Sequence, residues 1–151
     1  MDWSALTTQT VDGPLSTVFE SCPEGEYTMK IDDGDVEKWF RTVKTDRGEV
    51  PLLEIPCVVL DDNVKASLGR DKVTARMTIW LDLDGSGHMD SGKGKNVALG
   101  QLREAVGQNS EAGWTFSRLP GAGPFLGRVA QRSNPQRPEQ KFADVVRVTK
   151  L

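Results

Sequence analysis

Histidine is nearly absent from this sequence: the only one in 151 residues is His88. With no second imidazole, no Gly-x-Ser-x-Gly elbow and no reactive-cysteine context, the usual nucleophile and base pairs cannot be assembled. The chain is therefore expected to bind rather than to catalyse. Cysteine is almost as scarce. Cys22 and Cys57 have no Cys-x-x-Cys spacing and no histidine nearby to complete a zinc set, so both are expected as free thiols, with no metal or other cofactor. No apolar run approaches the roughly 18 residues a membrane span needs. The N-terminus, Met1-Asp2-Trp3-Ser4-Ala5-Leu6, lacks the basic start and apolar stretch of a secretory signal, and a cytoplasmic protein is expected.

Net charge is also low, −3, but it is unevenly spread. Residues 1–62 carry 5 basic and 14 acidic side chains, residues 63–117 carry 7 and 6, and residues 118–151 carry 7 and 2. A basic segment thus sits on an acidic protein, which permits phosphate binding without requiring it. The length fits one domain with one core.

Residues 1–21 mix Thr, Ser, Asp and Pro with isolated apolar residues and no period, which predicts a flexible N-terminal arm ahead of a domain at 22–151. In the domain, Tyr27, Met29 and Ile31 alternate with Thr28 and Lys30 as a first strand. The pattern resumes after Asp32-Asp33-Gly34-Asp35 as far as Lys44, predicting one long strand bent or bulged at Gly34. A second strand spans 50–60, with Leu53, Ile55, Cys57 and Val59 on one face and Pro51 and Pro56 suggesting an edge or a bulge. A third spans 72–82, with Val73, Ala75, Met77, Ile79 and Leu81 opposite Lys72, Thr74, Arg76, Thr78 and Trp80. Val97, Leu99, Leu102, Ala105 and Val106 recur at helical spacing within 95–106. Strands at 125–131 and 142–148 follow, joined by a polar segment, 132–141, whose cations and prolines predict a mobile loop closing over a ligand. The chain is mainly β. Three strands, a helix and two strands is the order of the five-stranded OB barrel.

The glycine-rich segment 82–94 approximates two motifs and completes neither. Asp82, Asp84, Ser86, Gly87 and Asp90 occupy positions of an EF-hand calcium loop, but Lys93 stands where a bidentate Glu is needed, and a strand precedes the loop instead of a helix. The run from Gly87 to Gly94 approximates a P-loop but ends in Gly94 instead of Ser or Thr. A metal- or nucleotide-binding protein using this loop is one alternative. The other is a protein-interaction module using the apolar and acidic surface of the first two strands.

Aromatic and basic residues interleaved on strands suit a different ligand. Lys38, Trp39, Arg41 and Lys44 cluster around the first strand, and Arg76 and Trp80 share the polar face of the third. Exposed rings stack on bases while neighbouring cations follow phosphates, which points to single-stranded nucleic acid. Arg128, Arg132, Arg137 and Lys141 supply further cations from the last two strands and their connection.

Four stretches carry a resemblance: Pro23-Glu24-Gly25-Glu26-Tyr27, the run from Leu99 to Gly107, Phe125-Leu126-Gly127-Arg128-Val129, and the run from Phe142 to Val148. Together they resemble a family of small phage-encoded proteins, long catalogued as a domain of unknown function, that includes OB-fold single-stranded DNA-binding proteins. The resemblance spans about residues 22–151. It implies a protein that coats single-stranded DNA in phage replication or recombination, working in the host cytoplasm with replication or recombination proteins as partners. The chain ends Arg147-Val148-Thr149-Lys150-Leu151, without the acidic tail by which many single-stranded DNA-binding proteins recruit partners.

Overall fold

A strand that presents one face to a core and the other to water alternates strictly, and Thr74–Trp80 does so, with Ala75, Met77 and Ile79 buried between exposed or half-exposed neighbours. It is one of six strands in the computed structural model, which describes residues 2–151. These are β1 (Gly25–Ile31), β2 (Phe40–Thr45), β3 (Gly48–Val59), β4 (Thr74–Trp80), β5 (Phe125–Asn134) and β6 (Arg137–Thr149). They form a single mixed sheet in the order β1-β5-β6-β4-β3-β2. A further pairing of β1 with β3 closes the ladder into a ring of five strands, leaving β2 attached to β3 alone. Every pairing is antiparallel except that of β4 with β6, which meet in parallel at Arg76 and Asp144.

The interior is filled from all sides. Leu53, Ile55, Cys57 and Val59 of β3 are fully buried, as expected from their spacing, beside Met29 and Ile31 of β1, Phe125 and Val129 of β5, and Val145 of β6. Full burial of a large aliphatic or aromatic side chain is worth about 1.5–3 kcal/mol. The helix α3 (Val97–Ala105) lays Leu99, Leu102 and Ala105 onto β4 and β6 as predicted, with Val106 packed beside them, whereas Val97, predicted on the same face, is exposed at the first turn. Two shorter helices are α1 (Trp3–Thr7) and α2 (Asp62–Leu68). No helix among the described residues is long and apolar enough to cross a membrane.

The predicted long first strand is two strands. Asp35 accepts a hydrogen bond from Glu37 N at 3.1 Å and starts a 3-10 turn, Val36–Trp39, that lifts the chain out of the sheet. This interruption explains Pro56 without an edge. The Pro56 carbonyl accepts from Asp32 N at 2.9 Å, so its missing N–H lies on the same side, towards residues 32–39, where no strand needs a donor. β3 is accordingly an interior strand. The helix α2 was not predicted, because Val64 is its only buried residue and seven residues are too few to show a period. Its ends carry ordinary signals: Asp61 accepts from Asn63 N and Val64 N, and Gly69 closes it at φ 65°.

The mobile loop expected at 132–141 is the outer half of a hairpin. β5 and β6 run on past the core and turn at Pro135 and Gln136, where Asn134 Oδ1 accepts from Gln136 N at 3.0 Å. Arms that project beyond a core need no apolar alternation. Here the backbone ladder, the Arg132 guanidinium 4.4 Å from the Phe142 ring centroid, and a Lys141 to Ser133 hydrogen bond of 3.1 Å hold them together.

Candidate nucleic-acid interface

Directly opposed residues in an antiparallel ladder project from the same face, so the register determines which of the predicted residues meet. Arg41 of β2 is opposite Leu52 of β3, and Leu52 is opposite Trp80 of β4. These three stand in one row on the outer surface. Trp80 is 51% exposed, as its polar strand neighbours predicted, while Leu52 between the two is 1% exposed although it points away from Leu53 and Ile55. The next outer row holds Glu54 and Thr78, and the one after it Pro56 and Arg76, the latter paired in turn with Asp144 of β6.

Beyond Arg76 the surface dips into an open groove of about 550 Å³ between β3, β4 and the hairpin. Glu54, Arg76, Phe142 and Lys141 line it, and so do Arg70 and Phe19. Trp80 and Arg76 are four residues apart on β4, about 13 Å at 3.3 Å per residue. The face is therefore a strip with a ring at one end and a ring-and-cation cluster at the other.

Its charges are largely paired. The Glu54 carboxylate takes Arg41 and Arg76, each at 2.8 Å; Asp144 takes Arg132 at 2.6 Å; and Asp32 takes Lys72 at 2.7 Å. Counting basic residues along 118–151 likewise overstates the free positive charge, because four of the seven are paired: Arg118 with Glu111, Arg128 with Glu26, Arg132 with Asp144 and Arg137 with Glu139.

Of the residues singled out from the sequence, Arg41, Arg76, Trp80 and Lys141 share this strip, and Arg132 adjoins it through Asp144. Trp39 is 9% exposed and packs into the core as part of the 3-10 turn, with one edge reaching the groove. Lys38 is exposed on that same turn. Lys44 is opposite Glu49, on the face of β2 turned away from Arg41. Arg128 faces Glu26 of β1 at 3.8 Å, well removed from β4, and Arg137 sits at the hairpin turn beside Glu139. Sequence reasoning missed Glu54, Arg70, Phe142 and Phe19. Nothing in the periodicity marks them, since their relevance comes from cross-strand neighbours and from an unrecognised helix.

The loop at 82–94 spends its carboxylates on itself. Asp82 Oδ2 accepts from Asn96 N at 2.9 Å, Asp84 Oδ1 from Ser86 N and His88 N, and Asp90 Oδ1 from Gly92 N at 2.8 Å. Asn96 also donates to the carbonyls of Asp82 and Asp90, tying both ends of the loop to the start of α3. Among the described residues no three His, Cys, Asp or Glu side chains converge on a point where a metal could bind.

Cys22 and Cys57 are buried free thiols. Burial pushes the Cys22 thiol up to about 11 and the Cys57 thiol to about 12, so neither is a nucleophile near neutrality. Compared with protein-family profiles, curated proteins and solved structures, the chain has no match.

Proposed function

We propose that this protein is a non-enzymatic OB-type domain that binds single-stranded DNA, with little sequence preference, along the strip from Trp80 to Phe142. The ring of five strands with α3 between β4 and β5 is the connectivity from which an OB barrel is built, and that fold binds oligonucleotides on its second and third strands, here β3 and β4. The observation that carries the reading is Trp80, a half-exposed indole on a polar strand face, in one row with Arg41 and two rows from Arg76. Stacking tolerates any base, and guanidinium groups beside it follow the backbone. The resemblance to phage-encoded single-stranded DNA-binding proteins supports the same reading and gives it a setting in replication or recombination.

One observation favours a second reading, a protein-interaction module of the same fold: Glu54 places a carboxylate at the middle of the strip, where a basic peptide would be welcome. A titration with poly-dT at low salt, followed by tryptophan fluorescence, separates the two. DNA binding predicts quenching that Trp80→Ala largely removes, with affinity reduced by about 1–3 kcal/mol, the range for one base stack. The variant should lose about 1 kcal/mol of stability or less, since half of the ring is already in water. If wild-type fluorescence does not change at saturating poly-dT and no complex forms, the peptide reading replaces this one.

A further inference from the structure

The N-terminal arm comes down onto the protein at one place, and that place is the far end of the groove. The Arg70 guanidinium lies over the Phe19 ring, 4.2 Å from its centroid, and the same guanidinium donates a hydrogen bond to the Glu20 carbonyl. Gln140 Nε2, from the hairpin, donates to the Phe19 carbonyl at 2.7 Å. Gln131 Nε2 holds the Cys22 carbonyl at 2.9 Å and Ser21 Oγ at 3.3 Å. Upstream, the hydrogen bonds of residues 2–18 among the described residues stay within the arm.

Three features make this contact look like an occupied site rather than a packing joint. The Phe19 ring is 66% exposed, so little apolar area is gained by placing it there. What holds it is a guanidinium plane against an aromatic face, with amide and guanidinium donors aimed at adjacent oxygens. These are the contacts a nucleotide makes, base face on Arg and phosphate oxygens on N–H donors. The arm also carries no cation, the first in the chain being Lys30, while the surrounding wall offers Arg70, Arg76 and Lys141.

We propose that Arg70 marks a nucleotide subsite at the end of the groove, filled by Phe19 and Glu20 in the free protein. One base of a bound single strand replaces the Phe19 ring on the Arg70 guanidinium, and the adjoining phosphate takes the donors of Arg70 and Gln140. Phe142, stacked on its hairpin neighbour Arg132, lines the same groove as Arg70 and offers a second aromatic face there. The arm is then a competitor of DNA, displaced when the strand reaches its last subsite. This rests on the single-strand reading above.

The test uses the full chain, oligo-dT and two variants. Phe19→Ala should bind oligo-dT about 2- to 5-fold more tightly, the equivalent of the 0.5–1 kcal/mol of an exposed cation–π contact no longer to be broken. Arg70→Ala should bind about tenfold more weakly, although it also frees the arm. Chymotrypsin cleavage after Phe19, mapped by mass spectrometry, should be slow in the free wild-type protein, where the ring and the adjoining carbonyls are held, and should speed up on adding oligo-dT or on Arg70→Ala without DNA. If oligo-dT binds but cleavage after Phe19 is unchanged or slower, the subsite is overturned while the single-strand reading stands. If neither the wild-type protein nor Phe19→Ala binds oligo-dT at low salt, both fall.

Discussion

Glu54 on β3 forms an ion pair with Arg76 on β4 at 2.8 Å, and its second carboxylate oxygen holds Arg41 of β2 at the same distance. One acidic side chain thereby ties together three strands and the two arginines closest to the middle of the proposed binding strip. Pairs exposed as these are contribute little to stability, about 0–1 kcal/mol each. Their consequence is for binding, because a phosphate must compete with a carboxylate already in place.

Replacing that carboxylate should therefore help the ligand. Glu54→Gln keeps the shape and frees both guanidinium groups, so poly-dT should bind more tightly at low salt and respond more steeply to added salt. If both arginines then reach phosphates, the slope of log affinity against log salt steepens by about 1.4, at about 0.7 per phosphate contact on a single strand. Salt titrations of wild type and variant give the number directly. An unchanged slope would place the phosphate path off Arg41 and Arg76.

Arg128 and Arg132 lie on the same face of β5 yet should behave differently. Arg132 is beside Asp144, the β6 partner of Arg76, whereas Arg128 faces Glu26 on β1. In an Asp144→Asn background, which frees Arg132 as Glu54→Gln frees Arg41 and Arg76, Arg132→Ala should flatten the salt slope by about 0.7, with Arg128→Ala leaving it unaltered. Equal effects from the two would mean that DNA wraps around β5 and β1 instead of crossing β3 and β4.

The closure of the ring through β1 and β5 depends on Gly127. It is opposite Tyr27, and a Cβ there would run into the Met29 sulfur and come within 3.4 Å of the Phe125 ring, both fully buried. Gly127→Ala should cost about 1–3 kcal/mol as overpacking, lowering the melting temperature by about 3–10 °C. Calorimetry checks it; an unchanged melting temperature would contradict the β1–β5 register.

Alkaline pH should unfold the protein through its thiols. Burial holds Cys22 and Cys57 protonated in the folded state, up to about 11 and about 12, whereas an ordinary thiol titrates near 9.0. Above pH 9 the unfolded chain loses protons that the folded chain keeps, so the stability these groups provide is present below pH 9 and is lost as pH rises towards 11. The loss approaches about 1.4 kcal/mol per pH unit for each thiol. Denaturant melts across pH 8–11 should show the decline, and Cys57→Ala should make it shallower. At pH 8 neither thiol should react with Ellman's reagent until denaturant is added.

Alternation and helical spacing were enough to read the faces of β3 and β4 and, apart from the exposed Val97, that of α3, because each of these elements covers one core and its pattern is the direct record of that contact. Trp80 was legible for the same reason: an aromatic ring in a run of Thr, Arg and Lys has no interior to go to. The hairpin beyond Gln131, the 3-10 turn that splits the first strand, and α2 left no such record. Backbone ladders, a single capping aspartate and cross-strand pairs hold them, and these need no apolar period.

The sequence by itself determined a mainly β chain with a helix after its third apolar strand segment, and which side of β4 faces water. Only the tertiary structure decided that Trp39 is turned inward, that Lys44 and Arg41 part company, that Glu54 neutralises two arginines, and that Phe19 rests on Arg70. Face selection within a strand is a local matter of alternation. The pairing of Glu54 with its two arginines and the docking of the arm join residues 13 to 121 positions apart, and only the ring of strands brings those positions together.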